Sequence, residues 1–164
     1  MNDHPASQTA ANDTFDEELI LTFLTEFHLF ERALIRAGFT KAGRTPGNSQ
    51  PDWARFARHI ERHFHPDSSS DLQGAMSYLL CDPGKLALRR KRLQSTYPGE
   101  TYSPHSDLVW LSELVQEAGK RLTHGINSRT ATEYDTAYIM SALLVLEAFS
   151  YIDPMVESLL THAQ

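Results

Sequence analysis

Ile20-Leu21-Thr22-Phe23-Leu24-Thr25-Glu26-Phe27-His28-Leu29-Phe30-Glu31-Arg32-Ala33-Leu34-Ile35-Arg36-Ala37-Gly38 decides the fold class. Ile20, Phe23, Leu24, Phe27, Phe30, Leu34 and Ala37 recur at the three- and four-residue spacing of one helical face. Thr14-Phe15-Asp16-Glu17 upstream has the form of a capping box, which would start the helix there. Gly38 is a natural stop, because glycine tolerates the positive φ that closes many helices.

The same pattern repeats down the chain. Lys41 to Gln50, rich in Gly, Pro, Ser and Asn, reads as a loop. Pro51 suits the first turn of a second helix, whose apolar stripe is Trp53, Phe56, Ala57, Ile60 and Phe64. A third helix begins near Ser70, turns Leu72, Met76, Leu79 and Leu80 inward, and stops at Asp82-Pro83-Gly84. Lys85 to Gln94 can form a short basic helix, and Ser95 to Ser106 a long surface loop. Ser106 and Asp107 open a fourth helix through Leu108, Leu111, Leu114, Val115 and Ala118. Thr132-Glu133-Tyr134-Asp135 caps a fifth that contains Ala137, Met140, Leu144, Ala148 and Tyr151. Asp153-Pro154 restarts a short sixth with Val156, Leu159 and Leu160. No alternating strand pattern and no internal repeat interrupts the series. The expectation is an all-α single bundle of five to six helices, residues 14–162, behind a disordered polar tail, residues 1–13.

Composition narrows the function classes. A lone cysteine, Cys81, excludes an internal disulfide framework and a four-cysteine zinc site, and it suits a reducing cytoplasm. No apolar run reaches the roughly 18–20 residues of a membrane span, and Met1 to Asp13 lacks the core of a secretion signal. A net charge of −6 argues against broad, nonspecific nucleic-acid binding. The positive charge is nevertheless local. Lys85, Arg89, Arg90, Lys91 and Arg92 form one cluster, and Lys120, Arg121 and Arg129 surround His124. The first cluster could track backbone phosphates, or simply be the solvated face of a partly buried helix, since Leu86, Leu88 and Leu93 interrupt it.

Lys120-Arg121-Leu122-Thr123-His124-Gly125 carries the sharpest chemistry. An imidazole beside ammonium and guanidinium groups can move a proton while its neighbours neutralise a phosphate. The structural alternative is a helix C-terminus. There Lys120 and Arg121 offset the macrodipole, His124 caps a carbonyl and Gly125 permits the turn. A second constellation is His59-x-x-x-His63 with His65, since histidines four apart share a helical face as a zinc pair requires. Cys81 and His105 could complete such a metal site only through folding, and the alternative is a polar edge on the Trp53–Phe64 helix.

A long helix, then Leu-x-His-Gly, a short loop and a long terminal helix resembles the HEPN superfamily, which often carries Arg-Asn-Asn-Leu-Phe-His-Gly at this place. Leu122, His124 and Gly125 are the matching residues. The terminal helix, Asp135 through Ile152 with Ala142-Leu143-Leu144-Val145-Leu146-Glu147, is similar to that superfamily as well. So are Arg36-Ala37-Gly38-Phe39 and Pro51-Asp52-Trp53. The resemblance spans roughly Asp16 to Leu160. It implies a cytoplasmic homodimer with two Arg/His motifs facing one cleft, and metal-independent RNA cleavage without a cofactor. It also implies a defence or toxin-like setting, with an antitoxin or regulatory protein as a further partner. Carried over, His124 is the acid/base, Lys120 and Arg121 are the phosphate contacts, and Gly125 is the turn that faces the histidine to the cleft.

One position departs from the family. Its arginine stands five residues before the histidine, where this chain has Gly119. Each residue rotates a helical side chain by about 100°, so a cation moved to 120 or 121 projects differently. Either Lys120 or Arg121 reaches the same phosphate from another direction, or cleavage is impaired or lost while the fold remains. A noncatalytic dimerisation or regulatory scaffold is the rival expectation.

Overall fold

A computed structural model describes residues 9–43, 47–80, 107–125 and 136–162. Among them are six α-helices, one 3-10 turn at Pro66–Ser68 and one small antiparallel sheet, so the architecture is an all-α bundle.

Helix α1, Thr9–Arg36, is longer than its capping pattern suggests. It already runs through Thr9, so Thr14 lies within the helix and is not its cap. Its buried stripe, Phe23, Leu24, Phe27, Phe30, Ala33 and Leu34, follows the expected spacing, with Ile20 and Ala37 partly buried at either end. Gly38 ends it as expected. At φ +88° it donates to Ile35 O (3.1 Å) while Phe39 N reaches Leu34 O (2.9 Å). These are the paired bonds of a Schellman motif, and they occupy carbonyls the helix end leaves open.

The segment expected to be only a loop contains strands β1, Thr40–Ala42, and β2, Ser49–Pro51. They pair antiparallel with Thr40 opposite Pro51, Lys41 opposite Gln50 and Ala42 opposite Ser49. Gly47 at φ +82° lies in their connection, and Gly43 N donates to Asn48 O (2.8 Å). Pro51 therefore ends a strand and does not start the second helix. Asp52 caps that helix, α2, Trp53–Ile60, by accepting from Arg55 N (3.0 Å).

Helix α3, Ser70–Leu80, buries Leu72, Ala75 and Leu79; Met76 and Leu80 are partly buried. Helix α4, Asp107–Gly125, packs on α1, α2 and α3, with Leu108, Val109, Trp110, Leu111, Leu114, Val115, Ala118 and Leu122 all buried. Helix α5, Thr136–Ile152, packs on α1 and α3 and meets α6, Pro154–Thr161, at a bend of 106°.

An aromatic cluster joins α1, α2 and α5. Phe30 lies 4.9 Å from Trp53 and 5.4 Å from Phe56, and Phe56 and Phe64 lie 6.0 and 5.8 Å from Phe149. Offset and edge-on ring pairs at these centroid distances add specificity to burial. The inward face of α5 corrects the expectation. Tyr138, Ile139, Ala142, Val145, Leu146 and Phe149 are buried, whereas Ala137, Met140 and Tyr151 are exposed and Leu144 and Ala148 only partly covered. Apolar residues encircle this helix, so periodicity finds two faces and burial selects one.

Among the described residues, no single helix is long and apolar enough to cross a membrane.

Candidate functional site

Helix α4 continues through Gly125, so Lys120 and Arg121 belong to its body and His124 to its last turn. Gly125 is still helical, and the residues that follow it, where the expected turn would continue, lie outside the described ones. Positions 113, 117, 120, 121 and 124 repeat every three or four residues and share one stripe. Along it the charge changes sign, from Glu113 and Glu117 to Lys120, Arg121 and the exposed His124.

Each cation has a protein partner. Arg121 Nη1 lies 3.7 Å from Glu117 Oε1, with only about a third of the arginine side chain exposed (30%). Lys120 Nζ lies 3.2 Å from the Gln116 amide oxygen, in the amide orientation that also lets that oxygen accept from Trp53 Nε1 at 3.1 Å. The indole N–H is shared, because Glu31 Oε1 stands at 3.1 Å as well. A polar seam thus runs from Glu31 on α1 through Trp53 on α2 to Gln116 and Lys120 on α4. Gln116 is buried, and burial of an amide is tolerable only with its hydrogen bonds made.

Gly119 has no room for a side chain. A Cβ at this position would stand 2.4 to 2.5 Å from three atoms of the Phe27 ring. The position faces α1, and any side chain would collide with that ring. The cations at 120 and 121 lie on neighbouring arcs of the helix that remain partly open to solvent.

Sequence reasoning passed over a second histidine. His28, exposed on α1, places Nε2 3.2 Å from Thr123 Oγ1, and Thr123 Oγ1 in turn lies 2.7 Å from Gly119 O. No motif marks His28; its signal is a polar residue following Phe27 at the edge of the buried stripe. Thr123 was visible only as filler between Leu122 and His124. Glu31 and Gln116 were missed too, because their roles depend on the α1–α2–α4 contact.

The histidine constellation on α2 divides. His59 Nε2 hydrogen-bonds Asp153 Oδ2 (3.0 Å), so it ties α2 to the start of α6. His63 and His65 are exposed beyond the helix end. Among the described residues, no three His, Cys, Asp or Glu side chains form a group that could hold a metal ion. Lys85, Arg89, Arg90, Lys91, Arg92 and Arg129 lie outside the described residues, as do Cys81 and His105.

Compared with protein-family models, with curated proteins and with solved structures, the chain gives no match.

Proposed function

We propose that this chain is a HEPN-like, RNA-associated domain whose metal-independent cleavage centre is impaired. The supporting observation is one stripe of α4 on which Lys120, Arg121 and an exposed His124 follow each other within two turns. In this assignment Lys120 and Arg121 contact a backbone phosphate and His124 transfers the proton. The negative end of the α4 dipole opposes an anion, so affinity must come from the two cations. Arg121 also shares its charge with Glu117, and no cation stands at 119. Both facts favour weak cleavage over efficient turnover.

The reading includes a homodimer in the cytoplasm of a bacterial cell, in a defence or toxin-like setting, with an antitoxin or regulatory protein as a further partner. Exposed apolar side chains on α5 and α6, Met140 (49%), Tyr151 (70%) and Met155 (60%), suit burial against another protein surface. The same side chains favour a second reading, a noncatalytic dimerisation scaffold, to which the glycine at 119 also points.

The deciding experiment incubates single-stranded RNA with the parent and with His124→Ala in EDTA. Slow cleavage by the parent that disappears in the variant supports the ribonuclease assignment. Identical background from both leaves the scaffold. RNA retention by both, lost on joint substitution of Lys120 and Arg121 by Ala, would assign binding without cleavage.

A further inference from the structure

We propose that His28 is the proton acceptor of the same centre, making His124 the proton donor, so that one protomer carries both imidazoles. The inference rests on the proposed function and assigns its acid and base. It starts from a single hydroxyl proton. Thr123 Oγ1 lies 2.7 Å from Gly119 O, a carbonyl that can only accept, so the hydroxyl proton points there. The other contact of that oxygen, 3.2 Å to His28 Nε2, must then be accepted by Thr123 and donated by the ring. Neutral His28 is fixed as the Nε2–H tautomer, and its Nδ1 keeps the basic lone pair.

Fixing a base through one ring nitrogen and leaving the other to accept a proton is how acid–base catalysis orients imidazoles. Thr123 precedes His124 in α4, and Lys120 sits one turn back between them, at three and four residues' distance. His28, on α1, therefore meets α4 at the residue just before His124, in the turn that follows Lys120. The ionisable groups beside His28 in the register of α1 are Glu31 and Arg32, and those beside its partner Thr123 in the register of α4 are Lys120 and His124.

The reaction balances without a cofactor. His28 Nδ1 takes the ribose 2′-OH proton and the 2′-oxygen bonds to phosphorus. The bond from phosphorus to the 5′-oxygen breaks, and the His124 imidazolium protonates that leaving oxygen. The products are a 2′,3′-cyclic phosphate and a 5′-hydroxyl, and water exchanges protons with both rings to restore them.

The test follows cleavage of a single-stranded RNA oligonucleotide against pH in EDTA, for the parent, His28→Ala, Thr123→Val and His124→Ala. His28 is exposed, so its variant should retain the parent's far-ultraviolet dichroism. His28→Ala should lower kcat by roughly 100-fold or more, with KM little changed. It should abolish the rise of rate on the acid side of the profile, and added imidazole should restore part of the rate. Thr123→Val should lower kcat less, since the base remains but is no longer held. A parent that needs His124 but is matched by His28→Ala in rate and profile would overturn the His28 assignment alone. A parent that leaves RNA intact would overturn the proposed function, and the His28 assignment with it.

Discussion

At the scale of single residues, Gly119 has two meanings, and only one is legible in the sequence. As a letter it stands where the resemblance to HEPN proteins would put an arginine; in the fold it is the floor of a contact with Phe27. Gly119→Ala adds one carbon where the ring already sits, and overpacking of this kind costs about 1–3 kcal/mol. The expected outcome is a lower urea midpoint with an unchanged slope. Gly119→Arg should not raise RNA cleavage above the parent's, since the guanidinium can leave the interface only by forcing α1 from α4. Its expected signature is loss of cooperative unfolding together with loss of any activity. Lys120, Arg121 and His124 were legible as candidates because two cations and an imidazole stand close together in the sequence. His28 was not, because its partner is 95 residues away in sequence.

Elements show a different limit. Amphipathic α1 and α2 were readable because each has one apolar face. Helix α5 has apolar residues around its whole circumference, so the pattern names Met140 and Tyr151 as readily as Val145 and Leu146. Leu146→Ala should destabilise by about 2–5 kcal/mol, as buried leucines do, while Met140→Ala should leave the isolated protomer's thermal midpoint nearly unchanged. The short hairpin escaped detection because three-residue strands carry too few positions for alternation. Asp153 was read as the restart of a helix, and its work is double. Oδ1 accepts from Met155 N and Val156 N, both at 3.0 Å, while Oδ2 meets His59. Asp153→Ala should cost about 0.5–2 kcal/mol through the lost cap, and Asp153→Asn much less. Chemical denaturation of the three proteins side by side checks the order.

For the whole molecule, the bundle architecture followed from helical spacing and stop signals alone. A ligand had no comparable signal, because a net charge of −6 averages over a helix whose sign reverses along its length. If Lys120 and Arg121 each neutralise one phosphate, their joint replacement by Ala should flatten the log–log salt dependence of single-stranded RNA binding by about 1.4, at about 0.7 per contact. Fluorescence anisotropy across a salt series measures that slope. A homodimer built on the outward face of α5 should dissociate in Met140→Glu, seen as a halved mass in sedimentation, with each protomer still folded.

The Phe27 ring works like a dowel seated in the notch that Gly119 leaves. His28 is the next residue after the dowel, and Thr123 stands one turn beyond the notch. Sliding of α1 along α4 would have to unseat the ring first, so the hydrogen bond between His28 and Thr123 keeps its register.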